Sequence, residues 1–326
     1  MTDSPLILAV PSKGRLQENA AAFFARSGLV FSQSRGARDY RGTLKGVPDV
    51  EVAFLSASEI VNQLATGAAH LGITGEDLIR EQIADADEAV ELLTPLGFGH
   101  ANVVVAVPQA WIDVRTMADL DEVAADLRAR HGRKMRVATK YVNLTRRFFA
   151  EKGIADYRIV ESLGATEGAP GAGSAELIVD ITTTGATLAA NALKILDDGV
   201  MLRSEANLVA SARAPWSDRA RAAAKSVLTR IAAEEEARES REIRACLDPA
   251  KSSSLPALTR DFGASLPFGT PLGREVVLHC PASSMFDVVA ALQELGAHDI
   301  TVRTFDYLFR PTNALTERLL KRIGQK

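Results

Sequence analysis

Four threonines stand within six residues of the stretch "ELIVDITTTGATL": Thr182, Thr183, Thr184 and Thr187, with Gly185 among them. An apolar, strand-like run precedes them and ends on Asp180, and a helical pattern follows. A phosphate monoester carries about two negative charges and takes several donors at once. A turn that opens a helix offers unpaired backbone N–H groups and the positive end of the helix dipole. Threonine hydroxyls add donors, and Gly185 lets the backbone approach with no Cβ in the way. Asp180 is placed for sugar hydroxyls or a hydrated metal ion rather than for the phosphate itself. Threonine and glycine also begin and turn ordinary helices. The apolar strand with its terminal acid is what favours an anion cradle here.

Three further turns carry residues of the same kind. "PSKGRL" sets Lys13 and Arg15 on either side of Gly14, where two cations can face one anion and arginine can offer its bidentate fork. In isolation it serves equally well as a solvated turn. "GITGEDL" ends a strand in Thr74, Gly75, Glu76 and Asp77, which is a good helix start with acids in the first turn and also a candidate cleft lining. "ATKYVNLTRR" offers Thr139, Lys140, Tyr141 and Asn143 at another strand-to-helix turn.

These turns need strands and helices to hold them. Strand patterns fall at 6–10, 50–55, 70–74, 101–107, 135–139, 157–161, 176–180 and 207–211. Helical patterns between them close on Gly28, Gly67 and Gly153, where a left-handed residue is wanted. After Gly185, "ATLAANALKIL" places Leu188, Ala192, Leu193 and Leu196 on one helical face. The alternation predicts an α/β fold with largely parallel sheets. "LGFGHANVVVAVP" and "LRSEANLVAS" read as crossings between two lobes, with a ligand cleft between them. The division expected is 1–104 with 198–215 as the first lobe, 105–197 as the second, and 216–326 as a helix plus a small C-terminal domain. In that tail, 218–247 reads as one long helix whose charged second half is a solvated face. A Ser-, Pro- and Gly-rich loop (249–273) and a βαβ-like unit complete it.

Composition bounds the rest. The chain has 326 residues, 47% hydrophobic and 24% charged, with net charge −3. No general polycation points to nucleic acid or an anionic membrane, so an anionic ligand must be held by local positive charge. No apolar run approaches a membrane span, and the N-terminus lacks a secretory pattern. Cys246 and Cys280 lack redox or metal spacing, and the five histidines are scattered without ligand spacing. A cytoplasmic protein is expected.

"IVDITTTGATL" resembles the 5-phosphoribosyl-1-pyrophosphate (PRPP) loop of phosphoribosyltransferases. Its single acid, Asp180 followed by Ile181, is similar to the form found in the ATP phosphoribosyltransferase family. "LAVPSKGRL", "GAAHLGITGEDLI", "LGFGHANVVVAVP", "MRVATKYVNLTRRFF" and "LRSEANLVAS" resemble the same family in the same order, over about residues 5–212. His70 stands where that family usually has aspartate.

The resemblance implies a two-lobed core like that of periplasmic binding proteins, plus a small α+β, ACT-like C-terminal domain. It implies transfer of the phosphoribosyl group of PRPP to N1 of ATP, the first step of histidine biosynthesis. PRPP would be held by Asp180, Thr182, Thr183, Thr184, Gly185, Ala186 and Thr187. ATP and the phosphates would meet Lys13, Gly14, Arg15, Glu76, Lys140, Tyr141 and Glu167, with Tyr141 free to stack. Mg2+ would be bound mainly through substrate, with Asp180 as an indirect partner. Feedback inhibition by L-histidine and a homo-oligomer, dimer or hexamer, are also implied. Competing readings are a two-lobed solute-binding protein for an amino acid or small anion, a phosphoribosyltransferase with another base acceptor, and an inactive regulatory subunit.

Overall fold

The structure is a computed structural model that describes residues 4–33 and 40–324. The first stretch of chain runs β1 (Leu6–Pro11), α1 (Gly14–Arg26), β2 (Val30–Gln33), β3 (Arg41–Lys45) and β4 (Val50–Leu55). It continues through α2 (Ala57–Thr66), β5 (Leu71–Gly75), α3 (Glu76–Gln82), α4 (Ala86–Ala89) and β6 (Val90–Pro95). The second stretch holds β7 (Asn102–Pro108), α5 (Met117–His131), β8 (Met135–Thr139) and α6 (Val142–Glu151). It ends with β9 (Tyr157–Glu161), β10 (Leu177–Thr182), α7 (Ala186–Ala190) and β11 (Leu193–Leu202). The third opens with β12 (Ala206–Ser211), α8 (Asp218–Glu239), β13 (Ser240–Cys246) and α9 (Leu255–Phe262). Then come β14 (Glu275–Pro281), α10 (Met285–Glu294), β15 (His298–Arg303) and α11 (Ala314–Ile323).

Three sheets result, in the orders β2-β3-β4-β1-β5-β12-β6, β11-β7-β10-β8-β9 and β14-β13-β15. The first two are the cores of two lobes, and the third belongs to a small C-terminal domain, so the α/β two-lobed plan with an added domain stands. Parallel pairing is confined to β4-β1-β5 at the centre of the first sheet, with antiparallel strands on both sides, and to β10-β8-β9 at one edge of the second, with antiparallel β7 and β11 on the other side. The expectation of largely parallel sheets is corrected accordingly.

Local signals explain the regular elements. Ser56 and Glu59 form a reciprocal capping box on α2, which closes on left-handed Gly67. Thr116 and Asp119 do the same for α5, which closes on Gly132. β1 and β5 are buried on both faces, as central parallel strands should be. Leu6, Leu8 and Val10 meet Phe23 and Phe24 of α1 on one side, while Ala9 meets Ile60 and Leu64 of α2 on the other.

The expected divisions shift. β7 and β11 both join the second sheet, so the crossings fall near 99–101 and 203–205 rather than at 104/105 and 197/198. The run after Gly185 is helical only to Ala190. Ala192 has φ of 54°, which breaks the helix, and Leu193–Leu202 then pairs with β7. The long tail helix stops at Glu239, and β13 follows. The 249–273 loop contains a 3-10 turn (Pro249–Ser254) and α9.

α8 does not belong to a separate tail. Val227, Leu228 and Ile231 enter the first lobe's core, joined by Leu319 of α11. Nor is its charged half merely solvated, since Glu234 is buried and pairs with Arg26 at 3.3 Å and Arg238 at 3.0 Å. In the small domain β14 and β15 run in the same direction on either side of β13, with α10 connecting them. The expected βαβ character is thus present with a third strand between.

His70 is buried, and its role is structural. Its Nδ1 accepts the Ile7 N–H at 3.0 Å, its Nε2 faces the Pro215 carbonyl at 3.4 Å, and Trp216 packs edge-on against the ring. Burial holds its pKa below the ordinary 6.5, outweighing the Pro215 hydrogen bond that favours the charged form. The unfolded chain therefore gains a proton near pH 6.5 that the folded chain takes up only at lower pH. Stability from His70 is complete above that value and declines as pH drops below it. Urea unfolding should show the gap between wild type and His70→Gln narrowing from about pH 7.5 to about pH 5.5. A gap independent of pH would contradict this.

Candidate functional site

In the first lobe, the parallel strands β1 and β5 deliver two turns to one sheet edge: Ser12–Lys13 before α1, and Gly75 before α3. In the second, parallel β8 and β10 deliver the 140–141 and 183–185 turns to one edge. Carboxyl ends of parallel strands are where open α/β sheets bind ligands. All four turns singled out in the sequence lie at such ends.

The threonine turn is built by its own side chains. Thr182 Oγ1 accepts the Gly185 N–H at 2.8 Å, and Thr184 Oγ1 accepts the Ala186 N–H at 3.4 Å. Thr183 Oγ1 donates to the His100 carbonyl at 2.9 Å, tying the turn to the crossing between lobes. Gly185 has φ of 76° and open space where a Cβ would stand, so the left-handed backbone is what requires glycine there. Thr187 is exposed on the first turn of α7. That helix is five residues long, so its dipole is small, and the turn's amides and hydroxyls dominate over it.

Asp180 is half-buried at the end of β10, and its Oδ1 accepts the Ile181 N–H at 2.8 Å. Burial raises its pKa. The Ile181 hydrogen bond and the charge of Lys140 act the other way, and the charge of Glu167 adds to the rise. Asp180, Lys140 and Glu167 thus share one electrostatic neighbourhood. Lys13, Gly14 and Arg15 are exposed at the start of α1, and the two cations make no hydrogen bond or ion pair among the described residues. Gly14 has φ of 73°, again a left-handed turn.

Two expected site residues are employed otherwise. Tyr141 is 1% exposed inside the second lobe's core, and its hydroxyl donates to Asp77 Oδ2 at 2.8 Å. Burial and the nearby carboxylates push the phenol far above its ordinary range. Tyr141 cannot stack on a ligand, which corrects the sequence expectation; Lys140 lies over its ring instead, 5.1 Å from the centroid. Glu76 is partly buried and pairs with Arg80 at 3.2 Å, while its backbone N–H donates to the Glu205 carbonyl. It lines the hinge more than it offers a free carboxylate.

Residues that sequence reasoning passed over are Asp77, Glu81, His100 and Ser204. All four act through contacts more than 60 positions away. No local pattern announces the last three, while Asp77 was visible as a helix-start acid in a candidate cleft lining, without its distant partners.

A family model described as ATP phosphoribosyltransferase matches residues 56–233. That span includes every expected site residue except Lys13, Gly14 and Arg15. An ATP phosphoribosyltransferase of Afipia carboxidovorans is 60% identical over 322 residues, covering 98% of this chain and 99% of that one. One of Nitrobacter winogradskyi is 59% identical over 320 residues, covering 98% of each. Among solved structures, the ATP phosphoribosyl transferase (HisG:HisZ) complex from Thermotoga maritima is similar, with 27% identity and a TM-score of 0.53. The match covers 69% of this chain and 96% of that one.

Proposed function

The chain belongs to the ATP phosphoribosyltransferase family, and on that premise we propose how its own residues divide the work of the reaction. It transfers the 5-phosphoribosyl group of PRPP to N1 of ATP, giving N1-(5-phosphoribosyl)-ATP and pyrophosphate, the first step of L-histidine biosynthesis. Adenine N1 attacks the anomeric carbon as pyrophosphate departs. Positive charge builds on the ribose and negative charge on the leaving group. Such a reaction needs no covalent nucleophile; it needs two anionic substrates brought into line and a stabilised leaving group.

The 182–187 turn holds the 5-phosphate through the hydroxyl protons of Thr182, Thr184 and Thr187, with Gly185 and Ala186 shaping the backbone and Thr183 tying the turn to His100. Asp180 accepts hydrogen bonds from the ribose hydroxyls and faces the developing positive charge. Lys13 and Arg15, exposed and flanking Gly14, meet the pyrophosphate. Lys140 supplies a cation beside Asp180, and Glu167 and Glu76 line the approach of the nucleotide. Mg2+ suits this edge as a passenger of the substrate. No group of three ligating side chains stands together among the described residues, while Asp180 and Glu167 offer carboxylates to a cation that keeps waters and phosphate oxygens. When bound, it neutralises charge on the departing pyrophosphate.

The single observation that best supports this division is the pairing of one half-buried carboxylate with an open turn of hydroxyls and amides on the same strand end. Thr184→Val removes a hydroxyl from an exposed position. It should raise KM for PRPP about tenfold, as loss of a hydrogen bond to a charged group would, and leave KM for ATP unaltered. Steady-state kinetics with each substrate varied checks this, and an unaltered KM for PRPP removes the turn from the site.

The same reading makes the C-terminal domain the seat of feedback inhibition by L-histidine, the enzyme a homo-oligomer, dimer or hexamer, and the cytoplasm its compartment. No helix among the described residues is long and apolar enough to cross a membrane. Histidine titrated into the steady-state assay of the full chain tests the first point, and light scattering tests the second.

A further inference from the structure

Asp77 is tied to both lobes and to the chain that joins them. The residue is 6% exposed at the start of α3, in the first lobe. Oδ2 accepts the Tyr141 hydroxyl at 2.8 Å, from the turn after β8 in the second lobe. Oδ1 accepts the Ser204 hydroxyl at 3.0 Å, from the crossing between β11 and β12. The same Ser204 Oγ accepts the backbone N–H of Asp77 at 2.9 Å.

The surroundings reinforce the tie. The Glu81 carboxylate accepts the N–H groups of Asn143 at 3.0 Å and Leu144 at 2.9 Å, capping α6 of the second lobe from α3 of the first. Asn143 Nδ2 donates to the Glu81 carbonyl at 2.9 Å, and Arg147 donates to the Arg80 carbonyl. Leu78 packs against the cores of both lobes. Gly75 makes room for the arrangement: its φ is ordinary, but a Cβ there would collide with Asp77 Oδ1.

We propose that Asp77 is a positioning residue for phosphoribosyl transfer, a buried latch that fixes the angle at which the second lobe presents the PRPP turn to the first. The connection to that turn is short. Tyr141 follows Lys140, whose charge acts on Asp180, and the charge of Asp180 in turn reaches the Tyr141 hydroxyl. A buried carboxylate with both oxygens engaged by neutral hydroxyls is costly to leave unpaired, so the three groups hold or release together. The 5-phosphate can still settle in the 182–187 turn when the latch is broken, because that turn is built within the second lobe. What is lost is the line between adenine N1 and the anomeric carbon, and a misplacement of about 1 Å can cost about 100-fold in rate.

The test uses the full-length enzyme and three single variants: Tyr141→Phe, Ser204→Ala and Gly75→Ala. The first two each remove one hydroxyl, and the third displaces Asp77 while keeping every hydrogen-bonding group. For Tyr141→Phe and Gly75→Ala, kcat should fall about tenfold or more while KM for PRPP stays within about threefold. Ser204→Ala, the mildest change, should follow in the same direction. Small-angle scattering should show an altered radius of gyration. A latch that served only stability would lower the melting temperature and leave kcat of the folded enzyme unaltered, and that result overturns the proposal. The inference rests on the PRPP-turn assignment above, yet the two can fail separately. A Thr184→Val enzyme with unaltered KM for PRPP beside a slow Tyr141→Phe enzyme removes the turn and keeps the latch. The reverse pattern removes the latch alone.

Discussion

Replacing Asp180 with alanine is expected to lower kcat/KM for PRPP by about 100-fold or more, the scale seen when one preorganised polar group is withdrawn from a developing charge. The chain should stay folded. Among the described residues Asp180 makes no ion pair and its Oδ1 meets only the Ile181 amide, and burial together with Glu167 already disfavours its charge. Removing it therefore leaves no buried partner stranded, and stability should hold or rise. Asp180→Asn separates the two contributions the carboxylate can make: it keeps the size and one acceptor but loses the charge facing the ribose. Steady-state kinetics with PRPP varied, beside circular dichroism of each variant, checks the prediction. Normal kinetics for Asp180→Ala would remove the residue from the mechanism.

The second large effect concerns the end of the chain. A protein cut after Arg213 is expected to be insoluble, not a minimal enzyme. The cut removes α8 and α11, and with them Val227, Leu228, Ile231 and Leu319 from the first lobe's core, along with Trp216. Burying an aliphatic side chain of this size contributes about 1.5–3 kcal/mol. Four of them already rival the 5–15 kcal/mol by which native proteins are typically stable. The cut would also uncover the part of the β1-centred sheet that α8 covers beside α1. Soluble yield and near-ultraviolet circular dichroism of the truncated chain are the measurements. A soluble, active product would show that the two-lobed core closes without α8. For the same reason, histidine inhibition has to be tested on the whole chain.

Much of the site was legible in the sequence because its signals are local. A strand ending in an acid, a glycine turn and a helix start lie within a dozen positions at Leu177–Leu188, and the structure builds them there. β7, β8, β9 and β10 were readable as dense apolar runs for the same reason. β11 was not. Leu188, Ala192, Leu193 and Leu196 fit a helical period, but the pairing of Leu193–Leu202 with β7 is a contact across more than 80 positions, and it overrode the local pattern. β13 was absorbed into the preceding helix because "SREIRAC" carries charges that suit either state. α9 was hidden by serines and by Pro256, a residue that a helix accepts in its first turn. Tyr141 looked like a stacking platform beside Lys140. Its partner Asp77 lies 64 positions away and reveals itself only in three dimensions.

The placement of α8 and α11 bears on how the chain is born. Every strand of the second lobe has been made by Leu202, so that lobe can close while the ribosome is still at work. The first lobe begins earlier and finishes later, because its core waits for Leu319. For the time it takes to synthesise the intervening hundred or so residues, on the order of ten seconds, β6 stands without the apolar cover of α11. Over that interval the nascent chain is open to capture by chaperones at this strand.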